Sequence, residues 1–385
     1  MGVRRFAVSL CVIALGGHAS FGQSTTKTAV PDHSVLVSSD ASFTKGNLPE
    51  PAITKATDGI LAAFQKHSVV GIGDFHDVAQ EEDFYDSLVR DPRFAKEVGN
   101  VVVEFGDAAQ QTILDQYLEG ADVPYTELRK VWADTVGWYP TVTSIGYINF
   151  FATVRAVNAT LAPQQKIHVW LGDTAVDWSK VKTQADLPRV SRNETPANIL
   201  LEKILAKGKK AVVLYGFMHF RGTDSIRDRV DLRYPSAFYV VHPYTGFTQG
   251  ECSESFEKHF GHPSGPEILS PVKGTALAER LNAPGCRFTS GNMAIFPPDW
   301  TEEQKTHILA DLEDGFSGTS TDAILYLGQA RDLTYSPESP DLYIDDAFRT
   351  EIQRRVRLMP PAPPTLPGVD GNSVSPRHVH DYSKH

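Results

Sequence analysis

Two stretches decide how this chain reads: Val69-Val70-Gly71-Ile72-Gly73-Asp74-Phe75-His76, and Ala211-Val212-Val213-Leu214-Tyr215-Gly216-Phe217-Met218-His219. Each is an apolar, β-branched run that ends in Gly-x-x-His. A short, nearly continuous apolar run closed by glycine is the pattern of a strand buried on both faces. Each histidine is therefore expected just beyond a strand's carboxyl end. In an open α/β sheet that edge is where ligands bind. The two imidazoles are distant in sequence and can meet only through the fold.

Working outward, the same reading gives strands at 69–73, 101–105, 167–171, 211–215 and 238–241, and a further one at 322–328. Helical periodicity fills the intervals at 53–64, 80–88, 110–118, 150–161 and 197–206, and again at 347–358. Alternation of this kind predicts an α/β fold with a largely parallel central sheet and helices on both faces. Residues 48–358 are expected to form one domain, with a core at 55–245 and a C-terminal α+β extension at 246–358. The long crossover at 126–147 carries Trp132, Trp138, Tyr139 and Tyr147, which suit either a lid over the active edge or a helical pair packed into the core.

If the sheet is parallel, its strand ends deliver Asp74, His76, Glu104, Asp173, His219 and His242 to one rim. Glu104 is the most constrained. It follows Val101-Val102-Val103, so its carboxylate leaves a dry strand and needs a cation, a metal or hydrogen-bond donors; a structural ion pair is the plain alternative. Asp77 with Gln80 resembles a capping box, and Glu81, Glu82 and Asp83 suit the positive end of a helix. A helix N-terminus biases His76 toward neutral imidazole, the form needed in a base or a metal ligand, while those acidic neighbours push the other way. Arg221 adds positive charge beside His219, and Phe217 an aromatic wall.

The motifs of standard serine hydrolases, nucleotide-binding enzymes and zinc peptidases are missing: there is no Gly-x-Ser-x-Gly, Gly-x-Gly-x-x-Gly, Walker loop or His-Glu-x-x-His. The net charge of −10, without a basic cluster, argues against nucleic acid or an anionic membrane as partner. The expected ligand is a small molecule or peptide.

Gly73-Asp74-Phe75-His76 and Gly216-Phe217-Met218-His219, with Val102-Val103-Glu104-Phe105 between them, resemble the erythromycin esterase/ChaN/Tiki (TraB-PrgY) superfamily, in the layout of its ChaN-like branch, over roughly residues 55–245. The resemblance implies an α/β core and a catalytic site of His76, Glu104 and His219, with Arg129 as a fourth member. It also implies three kinds of activity: metal-free ester hydrolysis, metal-dependent proteolysis, or haem binding. Many relatives have glutamate where this chain has Asp74, whose side chain is one methylene shorter.

Three function classes follow. The first is an exported hydrolase in which His76 activates water, Glu104 orients it, and His219 with Arg129 or Arg221 stabilises the oxyanion, with Asp74, Asp173, Phe217 and Arg221 lining the ligand. A divalent metal, Zn or Mn, held by His76, Glu104 and His219 is a variant of it. The second is a haem or other ligand-binding protein without catalysis. A scaffold lacking chemistry is a third possibility.

At the start, Arg4 and Arg5 precede an apolar run and small residues near Ala19 and Gly22, the pattern of a signal peptide over 1–22 and hence of a periplasmic or secreted protein with no membrane span. A flexible arm is expected at 23–47, and a disordered Pro- and His-containing tail at 359–385. In an oxidising compartment Cys252 and Cys286 suggest a disulfide, with two unrelated thiols as the alternative.

Overall fold

Among the described residues, eight strands make up the sheet: β1 (Ala52–Lys55), β2 (Val69–Asp74), β3 (Asn100–Asp107), β4 (His168–Asp173), β5 (Ala211–Gly216), β6 (Phe238–Pro243), β7 (Glu267–Ser270) and β8 (Ala323–Tyr326). Their order is β1-β7-β8-β6-β2-β5-β3-β4. The computed structural model describes residues 51–136, 144–246, 250–261, 263–275, 277–278 and 321–358. The expected signal peptide, arm and tail lie outside the described residues, as do Trp138, Tyr139, Cys286 and the side chain of Cys252. Among the described residues, no helix is long and apolar enough to cross a membrane.

The fold is α/β with a mostly parallel sheet. β6, β2, β5, β3 and β4 run parallel in succession, and β8 joins β6 in the same sense. Among the described strands, β7 alone runs opposite to the rest, pairing antiparallel with both β8 and β1. β2 and β5 are buried at every position, which is why both read as unbroken apolar runs.

Alternation along the strands separates two layers. On one face Val70, Ile72, Val101, Val103, Phe105, Val212 and Leu214 pack against helices that include Ala79–Arg90 and Ile145–Asn158. On the other, Val69, Val102, Val213, Tyr215 and Val240 meet Leu200, Ile204, Phe220 and Val230. Trp132 and Tyr147 of the long crossover are buried in the first layer, which is the core-packing alternative rather than the lid.

Several local expectations are corrected. The helix expected from 53 begins at Ala56, because residues 52–55 form β1. The capping box is not made: Val78 is the N-cap and offers no side-chain bond, while the Gln80 amide spans to Thr334, donating to its hydroxyl at 3.2 Å and accepting from its backbone N–H at 3.0 Å. Glu81 and Glu82 do stand in the first turn of that helix, as expected, but on its buried face. Burial pushes the Glu82 carboxyl up to about 8, so it is held protonated at neutral pH.

Asn158 fixes the entry to β4. Its amide accepts from the Ile167 backbone N–H at 2.7 Å and donates to the Ile167 carbonyl at 2.9 Å, all within buried structure. Asn158→Ala strands both backbone groups without water. Chemical denaturation of the variant should show a loss of roughly 2–4 kcal/mol, against a few tenths for an exposed polar-to-alanine change.

Candidate active site at the carboxyl edge

Glu104 is fully buried at the centre of the rim, on the layer opposite Phe105. Its carboxylate is saturated from several directions. Arg192 Nη2 donates to Oε1 at 2.7 Å, and the Gly216 backbone N–H donates to Oε2 at 2.6 Å. His219 Nε2 lies 3.4 Å from Oε1, and His76 Nε2 lies 3.8 Å from Oε2. Burial alone would raise this carboxyl; His219, Arg192 and His76 overcome it and hold Glu104 well below the usual carboxylate range. The structure thus brings His76, Glu104 and His219 together.

The two glycines of the repeated motif explain how the halves interlock. A Cβ on Gly73 would stand 2.7 Å from the Cβ of Phe217, in the second motif. A Cβ on Gly216 would stand 3.1 Å from His76 Nε2 and 3.2 Å from Glu104 Oε2. Each motif therefore uses its glycine to admit the other.

His76 straddles the sheet edge, with one nitrogen toward each layer. Nδ1 lies 2.9 Å from Asp74 Oδ2, and Nε2 faces Glu104. Asp74 is itself held by hydroxyls from the helical layer: Tyr147 donates to Oδ2 at 2.6 Å, and Tyr85 lies 3.2 Å from Oδ1. Burial pulls the His76 imidazolium down, but the Asp74 and Glu104 carboxylates outweigh it and raise the group to about 9. The neutral imidazole favoured by the helix N-terminus is not the form present at neutral pH, because a carboxylate on each side outweighs a partial helix charge.

His219 Nδ1 has a fixed role. Asn193 donates through Nδ2 to the Asp224 carbonyl at 3.0 Å, which turns its Oδ1 toward His219 Nδ1 at 2.5 Å. That nitrogen must carry the proton, leaving Nε2 directed at Glu104.

Among the expected members, Arg129 is not brought to the site. Its guanidinium pairs with Asp345 at 2.7 Å and lies over the Phe348 ring at 4.3 Å, tying one helix to another. Arg221 lies 5.4 Å from the Phe217 ring centroid and donates to Met218 Sδ at 3.3 Å. Phe217 is a packing residue, stacked on Phe75 at 4.8 Å and edge-on to His242 at 5.4 Å. Asp173 does reach the rim: it accepts from Arg192 Nε at 3.1 Å and from the Val136 N–H at 2.7 Å. The cation on Glu104 is thus Arg192, which sequence reasoning missed. It stands in a loop between β4 and the next helix that has no periodicity; the usable signal was only that such loops emerge at the same edge as the histidines.

A divalent metal does not fit these residues as arranged. Among the described residues no group of three His, Cys, Asp or Glu side chains can hold an ion. The reason is local: a guanidinium already occupies the Glu104 oxygen that the metal would need. Both nitrogens of His76 and of His219 face protein partners within 4 Å.

Gly216→Ala tests the interlock. The new methyl must displace either His76 or Glu104, and the variant is expected to lose about 1–3 kcal/mol of stability in denaturant unfolding while the His76 titration shifts.

No protein-family model and no curated protein matches the chain. Solved structures do resemble it. The crystal structure of a Bacillus cereus protein superposes with a TM-score of 0.47 at 10% identity, covering 72% of this chain and 91% of that one. The type III effector HopBA1 superposes with a TM-score of 0.34 at 14% identity, covering 53% of this chain and 88% of the effector.

Proposed function

We propose that the chain is an exported hydrolase that cleaves an ester or amide bond by histidine-assisted attack of water, as a divergent member of the erythromycin esterase/ChaN/Tiki superfamily. One observation carries this reading: two imidazoles turn Nε2 toward one buried carboxylate at the carboxyl edge of a parallel sheet.

His219 is the base. Its Nδ1–H is held by Asn193, so in the neutral ring Nε2 takes the proton from water, and the imidazolium so formed is the state in which His219 pairs with Glu104 at 3.4 Å. The hydroxide adds to the carbonyl carbon. Arg192 and the His76 imidazolium face the developing oxyanion. When the tetrahedral intermediate collapses, the C–O or C–N bond breaks and His76 protonates the leaving group. Asp74 holds His76 in the charged form that this step requires. The roles of the two histidines are thus exchanged relative to the sequence expectation, because His76 lies between two carboxylates.

Ester and peptide panels should show turnover that survives a chelator and falls about 100-fold or more in His219→Gln. With His76 as the acid, kcat/KM should fall as pH rises through about 9. In Asp74→Asn that alkaline limb should move to lower pH, since a carboxylate that raised the group is lost. No turnover across the panels, or a limb that does not move, contradicts the assignment.

A further inference from the structure

The connection at 174–193, between β4 and the next helix, brings Arg192 to Glu104 and Asn193 to His219, yet its apolar residues belong to neither layer of the sheet. Val176, Trp178 and Val181 form a separate small cluster, packed against Val136, Leu187 and Leu358. A satellite cluster under a long loop opens more readily than the core beside it.

The helix Asp346–Leu358 closes this cluster. Arg354 donates from Nη1 to the Val181 carbonyl at 2.8 Å and from Nη2 to the Trp178 carbonyl at 3.3 Å. Arg355 Nη1 donates to the Ala133 carbonyl at 2.9 Å and to Asp134 Oδ1 at 2.5 Å, and its guanidinium lies 5.0 Å from the Trp178 ring centroid. Glu351, one turn back on the same face, accepts from both arginines at 2.7 Å. One helix face thus grips the loop and the end of the long crossover together.

From that grip a continuous set of bonds leads to the site. The Asp134 carbonyl accepts from Trp178 Nε1 at 2.7 Å. Two residues on, the Val136 N–H donates to Asp173 Oδ2 at 2.7 Å, and Asp173 Oδ1 accepts from Arg192 Nε at 3.1 Å. The Arg355 and Asp134 side chains are 14% and 11% exposed, so their charge-assisted bond is largely shielded from water.

We propose that Arg354 and Arg355 are positioning residues for the site: they latch the 174–193 loop, and undoing the latch frees Arg192 and Asn193 from Glu104 and His219 while the sheet stays folded. The inference concerns the same rim as the hydrolytic reading, but its test reads hydrogen exchange rather than turnover, so either can fail without the other.

The test is NMR hydrogen exchange of the Arg192 Nε–H, the Trp178 Nε1–H and the Val213 amide in the full chain and in Arg355→Met. Exchange at Arg192 and Trp178 should speed up about tenfold or more as the charge-assisted pair is lost, while Val213 in β5 changes by less than about twofold. Arg155→Met is the control for a merely structural loss. It removes arginine bonds to the Tyr117 and Ala121 carbonyls and should leave Arg192 as in the wild type. The proposal is overturned if Arg192 does not speed up, if Val213 speeds up with it, or if Arg155→Met acts on Arg192 as Arg355→Met does. Should Arg355→Met fail to fold, the wild type decides: the Arg192 and Trp178 protons should share one dependence of exchange on dilute urea, as members of one opening unit. Different dependences for the two overturn the proposal.

Discussion

A carboxylate at the end of a dry strand organises this molecule. Ionised Glu104 cannot remain in its apolar surroundings without compensation, and replacing any one partner would leave a buried charge partly unpaired, a loss that typically costs roughly 3–5 kcal/mol. Its partners come from separate parts of the chain: the Gly216 N–H from the end of β5, His219 from the turn after it, His76 from the loop after β2, and Arg192 from the loop after β4. The carboxylate thus ties together three segments of the chain. It also explains why glycine stands at 216, since a methyl there would intrude on the carboxylate and on His76.

Much of the framework was readable because its central strands are buried on both faces and carry long apolar runs. β2, β3, β5 and β6 fall where the valine- and isoleucine-rich segments place them. β1 and β7 were not readable. Each has four residues and pairs antiparallel at one side of the sheet, too short for period-2 alternation to stand out. Ile53 fits a helical stripe as well as a strand, and only its pairing with Leu269 settles the matter.

The site was half legible for a related reason. His76, Glu104 and His219 sit at or just past strand ends, so a parallel sheet delivers them together. Arg192 and Asn193 come from a loop, where position in space does not follow from any sequence period. Arg129 was a site member only by the family resemblance, and its partners Asp345 and Phe348 belong to a segment more than two hundred residues further on. Charge state was harder still. The acidic residues after His76 suit a helix N-terminus and stand there, but their burial was not readable: Glu81 accepts from Tyr85 at 2.7 Å and from the Phe75 N–H at 3.1 Å, and is pushed well above the ordinary glutamate value by burial and by Asp74.

The account stands or falls on Glu104 as the ionised centre that holds the imidazoles in place. The most direct measurement is an NMR titration of the His76 Cε1–H resonance in the wild type and in Glu104→Gln. A wild-type midpoint of about 9 that falls by about one unit or more in the variant agrees with a carboxylate facing that ring. A wild-type midpoint near the ordinary histidine value, or one that Glu104→Gln leaves in place, contradicts it.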